Sequence, residues 1–474
     1  MIARASEWTA REVADSVGGT LRGDPQRRLT GVATDTRDAL QEHLFVALRG
    51  DRFDAHDFLD RAIEGGAGAL LVRRGLAETD LARWSSRASV IEAGDTLFAL
   101  GELARARRRQ RSDVLWIALT GSNGKTSTKE MLAAIVATVR PTLKTEGNLN
   151  NLIGLPMTLL GVRAEHQVAV LEMGMNAPGE IARLAEIARP DVGLIVNIGP
   201  AHIGELGSQE AVAEAKGELF RGLAEHSVAV INLDDPWVRQ VTARAAPPRR
   251  RTFGRDAAAE VRLLSARPEL EGEGQQIELA IDGRKVSARL PYPGAHNALN
   301  AAAAVAAATA RLEIDPEQLA AGLAAAGRVG GRLIAEAVGP YWLIDDCYNA
   351  NAASMVAAID TVADRVAIRG GRLVAILGEM RELGAFSDEE HRRVGRALGA
   401  RGAALAAVFG PSARPLADGA RASGVPAVEY EAEQDAPLFR WLFERLAPGD
   451  VILVKGSRGI QMERFIRRLR EEVA

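Results

Sequence analysis

The sequence predicts an α/β protein made of three units, and three observations carry that expectation. The chain has 474 residues, about three times the ~150 that one domain usually takes. Short apolar runs alternate with helical stretches along most of it, the pattern of parallel strands covered by helices on both faces. A glycine cluster at Gly327, Gly330 and Gly331 then marks a linker before the pattern resumes.

The expected elements run as follows. Residues 1–91 mix β-like runs at 44–47 and 69–72 with a helical stretch at 58–64, a small α/β unit. A helix over 96–111 ends in Arg105, Arg107, Arg108, Arg109 and Arg111, which reads as a solvated helix end near a boundary. From there strand, loop and helix repeat: strands at 114–119, 168–171 and 192–196, helices at 126–139 and 209–224. Residues 247–251 (Pro-Pro-Arg-Arg-Arg) read as an exposed loop, 277–290 as an antiparallel hairpin, and 297–310 as an alanine-rich helix. In the last unit, strands at 342–344, 373–377, 406–409 and 451–454 alternate with helices, a second, Rossmann-like doubly wound sheet. The expected domains are 1–93, 94–326 and 327–474.

Composition narrows the function. The 59 Lys and Arg against 62 Asp and Glu leave a net charge of −3, so no overall basic field draws in nucleic acid. Any anion must be held by a local site. Cys347 is the one cysteine, which excludes an intrachain disulfide and a thiolate zinc cluster and fits a reducing compartment. Residues 1–19 carry Glu7, Arg11, Glu12 and Asp15, unlike the uncharged core of a signal peptide. The longest weakly polar run, 298–310, is mostly alanine and shorter than the ~20 strongly apolar residues of a membrane span. A cytoplasmic protein that does not span the membrane is expected.

The strongest motif is Gly121-Ser122-Asn123-Gly124-Lys125-Thr126, with Ser127 next, directly after an apolar strand and at the start of a helix. Glycines let the backbone close around phosphate oxygens and the helix N-terminus offers free N–H groups. Lys125 adds a cation, and the Thr126 hydroxyl can reach Mg²⁺. The motif is shorter than the common nucleotide loop, whose first glycine would fall at Leu119. Glu172 ends one buried strand and His202 follows the next, both at the carboxyl edge where open α/β sheets bind ligands; a carboxylate there can hold Mg²⁺. Lys216, on the helix at 209–224, reads by itself as a surface lysine paired with nearby acids. Two clusters of small polar residues, 145–151 with Asn148, Asn150 and Asn151, and 345–351 with Asp346, Tyr348, Asn349 and Asn351, sit at loops where sheet edges present ligands.

Taken in order, these residues resemble the Mur ligases of bacterial cell-wall synthesis, most closely the branch that forms their last amide bond, and the resemblance covers essentially the whole chain. It implies an ATP-dependent, ADP-forming amide ligase whose units follow the three-unit plan above: a UDP-substrate unit, a central ATPase unit and a C-terminal ligase unit. Residues 121–127 become the ATP loop. Thr126, Glu172 and His202 become magnesium ligands, and Lys216 becomes a carbamylated lysine serving as a further one, which reverses its bland reading. Asn297 and Asn300 in His296-Asn297-Ala298-Leu299-Asn300, with Arg332 and Asp346, become nucleotide contacts, and Lys125, His202, Lys216 and Arg332 the catalytic set.

The same resemblance implies UDP-N-acetylmuramoyl-tripeptide and D-alanyl-D-alanine as substrates of a monomeric enzyme. Their contacts would be Thr36, Arg37 and His56 in the first unit and Asn148, Asn150 and Asn151 in the second. In the third they would be Tyr348, Asn349, Asn351, Lys455, Ser457 and Arg458. Here the chain departs from the family pattern at Cys347, usually serine, at Ala352, usually proline, and at Ala55, commonly glycine. The alternative within the same superfamily is a folylpolyglutamate synthase, which lacks a separate UDP-binding unit; residues 1–93 argue against it.

Overall fold

The computed structural model describes residues 2–50, 52–200, 203–270 and 273–473. Three sheets follow one another along the chain. The first has six strands in the order Ile2–Thr9, Arg28–Ala33, His43–Val46, Ala69–Arg73, Ser89–Ala93 and Thr20–Arg22. Its four inner strands are mutually parallel and its two edge strands antiparallel.

The helix Thr96–Gln110 leads from this sheet to the next. Asp95 caps its first turn through Phe98 N, and Thr96 Oγ1 ties it to the first sheet by donating to Ala47 O at 2.7 Å. Arg107, Arg108 and Arg111 correct the expectation of a solvated cluster, while Arg109 is exposed as expected. Arg107 donates to Val162 O, Arg108 to Ala188 O and Arg111 to His166 O. The carbonyls of two neighbouring loops need donors where the helix covers them, and the arginines supply these.

The central sheet has nine strands, with Leu115–Thr120 between Val192–Ile195 on one side and Val168–Glu172 on the other. The loop after Leu115–Thr120 therefore opens at the point where strand order reverses, the position at which such sheets bind ligands. The expected loop at 247–251 is corrected for its arginines: Arg249–Gly254 is a strand parallel to Val228–Asn232. Its arginines hide the strand in the sequence, yet Phe253 is fully buried and Arg251 pairs with Asp282 and Glu260. The strands Gln275–Ile281 and Arg284–Leu290 form the expected hairpin. The alanine-rich helix Ala295–Thr309 packs on Lys125–Ala137, and its small side chains let the two approach closely.

The C-terminal sheet runs Ile334–Val338, Tyr341–Asp346, Val451–Lys455, Leu373–Gly378, Leu405–Phe409 and Ala427–Glu431, parallel except for its first strand. Parallel register sets Asp346 beside Lys455 at the carboxyl ends of adjacent strands. The mouths of this sheet and of the central one face a shared cleft.

Candidate active site

A cavity of about 700 Å³ lies between these two sheets. Its floor is the loop 122–127. Gly124 takes φ 78° as the N-cap of Lys125–Ala137, a conformation that favours glycine. A β-carbon there would also stand 2.5 Å from Asn300 Oδ1, so the cradle accepts no side chain. Lys125 Nζ donates to Gly121 O at 2.8 Å. Burial lowers the Lys125 pKa, with Glu172 opposing and Arg332 reinforcing the shift.

Glu172 is buried at the end of its strand. Asn150 Nδ2 donates to its Oε1 at 2.8 Å, while Oε2 is buried with no hydrogen-bond partner. A buried carboxylate oxygen without a hydrogen bond is costly unless a cation meets it, and the Lys129 ammonium stands 3.9 Å away, beyond hydrogen-bond reach. Thr126 lines the same cavity, and the two oxygens suit a hard divalent cation. Lys216 corrects its own bland reading: it is 2% exposed and lines the cavity from the helix Gln209–Arg221. Burial, and then the positive charge of Lys125, hold its ammonium well below its ordinary pKa. His202 lies outside the described residues.

The C-terminal sheet closes the cavity from above. Arg332 Nη2 donates to Thr126 Oγ1 at 3.1 Å, and Asn351 Nδ2 to Asn123 Oδ1 at 2.8 Å. The Arg332 guanidinium also lies over the Tyr348 ring, 4.1 Å from its centroid. Asp346 Oδ2 accepts from Lys455 Nζ at 2.6 Å while its Oδ1 accepts from Leu333 N. Burial still pushes the Asp346 pKa up, against the pull of Lys455. On the helix Ala295–Thr309, Asn300 Nδ2 donates to Asn297 Oδ1, and Asn297 Nδ2 to Pro293 O. Burial pushes the neighbouring His296 down to about 4, with Lys455 adding to the effect.

The cavity thus brings together Ser122 to Ser127, Asn148, Asn150, Asn151, Glu172, Lys216, Asn297, Asn300, Arg332, Asp346, Tyr348, Asn349, Asn351 and Lys455. Gly121, Thr36, Arg37, His56, Ser457 and Arg458 are not on its wall. Gly121 is the carbonyl partner of Lys125. Arg37 is exposed and paired with Asp35. His56 Nδ1 meets Asp54 Oδ1, and its Nε2 accepts from Arg73 N, so both ring nitrogens serve the loop itself. Ser457 Oγ accepts from Arg381 N, which joins two C-terminal loops. The departures at Cys347 and Ala352 are absorbed locally. Cys347 is buried against Val454 O, and Ala352 opens a helix capped by the reciprocal Asn351–Ser354 pair.

Two participants escaped the sequence. Lys129, fully buried, donates to Gly147 O and stands 3.9 Å from Glu172 Oε2; its position one helical turn beyond Lys125 was the available signal. Asn197 accepts from Asn123 N through Oδ1 and from Ser122 N through its carbonyl. Its place at the end of a buried strand, like that of Glu172, could have flagged it.

The glycine loop and the polar cavity shared by two sheets have the form of a phosphate-binding site, and comparison with known proteins gives the class of the chain. Residues 119–308 match the Mur ligase middle domain and residues 327–458 the Mur ligase glutamate ligase domain. The chain belongs to the Mur ligase family. A UDP-N-acetylmuramoyl-tripeptide–D-alanyl-D-alanine ligase from Escherichia coli is 40% identical over 98% of both chains. A crystal structure of MurF from Acinetobacter baumannii superposes with a TM-score of 0.90 at 33% identity, covering 99% of this chain and 100% of that one. MurF from Thermotoga maritima in complex with ADP gives a TM-score of 0.81 at 28% identity, covering 93% and 97%.

Proposed function

We propose that the chain is an ATP-dependent ligase that joins D-alanyl-D-alanine to UDP-N-acetylmuramoyl-tripeptide. The observation that carries the reading is the phosphate loop of the central sheet closed by Arg332 and Asn351 of the C-terminal sheet. The full-length similarity to ligases with those substrates supports it.

ATP lies with its phosphates on residues 121–127 and its base toward Asn297 and Asn300. Thr126 and Glu172 would hold Mg²⁺, with His202, and with Lys216 once it carries a carbamate; the ion would supply charge neutralisation for phosphoryl transfer. The orphan Glu172 Oε2 fits that role. Carbamylation needs a neutral amine, and the buried Lys216 beside Lys125 favours that form. Lys125 and Arg332 stabilise the developing phosphoryl charge. The peptide carboxylate attacks the γ-phosphorus and ADP leaves. The dipeptide amine then attacks the acyl carbon, loses a proton and expels phosphate.

The first sheet, with Thr36, Arg37 and the loop held by His56, takes the UDP group; Asn148, Asn151, Tyr348, Asn349, Lys455, Ser457 and Arg458 serve the peptide and dipeptide. The domains divide at 93/94 and 326/327. Among the described residues no helix is long and apolar enough to cross a membrane, and we place the enzyme in the cytoplasm as a monomer. The test is phosphate release with ATP, Mg²⁺, D-alanyl-D-alanine and either the lysine or the diaminopimelate UDP-tripeptide. Release should require all three substrates. Release that is indifferent to D-alanyl-D-alanine would overturn the reading.

A further inference from the structure

Residues 197–200 lie against the nucleotide loop, and residues 203–206 lie against the C-terminal unit. In the first stretch, Ser122 N donates to Asn197 O at 3.0 Å, Asn123 N to Asn197 Oδ1 at 2.9 Å and Gly199 N to Ser122 Oγ at 2.9 Å. Asp235 Oδ2 holds Ile198 N at 2.7 Å. The second stretch is the short helix Ile203–Leu206. Ile203 is buried in the apolar cluster that contains Met380, Leu383 and Leu416 of the C-terminal unit. The next residue, Gly204, donates its N–H to Glu382 O at 3.1 Å.

This contact has no slack. A β-carbon on Gly204 would stand 2.6 Å from both Glu382 O and Gly384 N. The receiving turn is itself braced: Glu379 accepts from Arg381 Nε and Ser412 N, and His391 Nε2 accepts from Met380 N. Neither Ile203 nor Gly204 lines the cavity.

We propose that residues 197–200 and Ile203–Leu206 are the two ends of a strut that couples the nucleotide loop to the seating of the C-terminal unit, with Ile203 and Gly204 as positioning residues for the reaction. Asn197 and Gly199 sense the loop through Ser122 and Asn123. Ile203 and Gly204 seat the 380–384 turn, and through that unit they set Arg332 against Thr126. The inference rests on reading 121–127 as the ATP loop. Its specific content is that a close backbone contact outside the cavity controls turnover.

Gly204→Ala tests it, because alanine suits the helical backbone but not the contact. The melting temperature without ligand and the KM for ATP should stay close to wild type. The kcat should fall about a hundredfold, the scale on which small misplacement of reacting groups acts, and Ile203→Leu should retain more activity than Ile203→Asp. A folded Gly204→Ala enzyme with wild-type kcat, or one whose loss lies wholly in the KM for ATP, overturns the strut. Should Gly204→Ala not fold, hydrogen exchange on the wild-type chain decides. Magnesium and a non-hydrolysable ATP analogue should slow exchange at 122–126 together with 203–206 and 380–386. Protection at 122–126 alone overturns the strut, whereas no protection at 122–126 overturns the ATP reading beneath it.

Discussion

Arg332 reaches across the cleft to donate to the Thr126 hydroxyl at 3.1 Å, so one guanidinium from the C-terminal sheet completes a phosphate loop built by the central sheet. Arg332→Ala should lower kcat by about 10²–10³, equivalent to ~3–4 kcal/mol of transition-state stabilisation, with a smaller change in the KM for ATP. Steady-state kinetics check this. A change confined to KM would make Arg332 a binding residue only.

Lys125 has a similar but distinct expectation. Its side chain folds onto its own loop through Gly121 O and braces no other element. Lys125→Ala should leave the ligand-free melting temperature almost unchanged and abolish ligation. Calorimetric unfolding beside an activity assay separates the two effects.

Lys216 is buried in the cavity wall, and the role proposed for it depends on carbamylation. Lys216→Ala should lose most activity, and acetate or formate should restore part of it by supplying the missing carboxylate. Lys216→Arg keeps a cation and should stay inactive without added acid. A fully active Lys216→Arg enzyme would exclude the carbamate.

In the first sheet, Arg37 is exposed while His56 has both ring nitrogens engaged. Arg37→Ala should therefore raise the KM for the UDP-tripeptide much more than that for ATP. His56→Ala should also lower the melting temperature, because it removes the brace between Asp54 and Arg73. Equal KM effects on both substrates would take Arg37 out of UDP recognition.

The pH dependence has a definite sign. His296 is held down to about 4 in the folded chain, against ~6.5 for an unperturbed histidine. Between those values the unfolded chain binds the proton and the folded chain does not, so stability falls as pH drops from about 6.5 toward 4. Above that window the group contributes no slope. His296→Gln should flatten the melting-temperature profile in that window alone, and an unchanged slope would assign the acid lability to other groups.

Much of this was legible because glycine loops and buried parallel strands leave short-range marks. The loop at 121–127, Glu172 at a strand end and the Asp346–Asn351 turn could all be located from neighbouring residues. The strand Arg249–Gly254 was not, because arginines that find acidic partners only after folding mask its alternation. Lys216 looked like a surface residue because helical spacing says nothing about what another sheet buries. Lys129 and Asn197 act through contacts far along the chain or on backbone groups, which no local pattern displays. Arg107, Arg108 and Arg111 departed from expectation for the same reason, since they have carbonyl partners among residues 162–188.

Acyl-phosphate formation is the central claim, and oxygen transfer tests it most directly. UDP-tripeptide labelled with ¹⁸O in its terminal carboxylate should be ligated to D-alanyl-D-alanine with ATP, and the released phosphate should be analysed by mass spectrometry. One ¹⁸O per phosphate is the expected result, since the carboxylate oxygen that attacks phosphorus leaves with it. Unlabelled phosphate accompanying full ligation would contradict the mechanism.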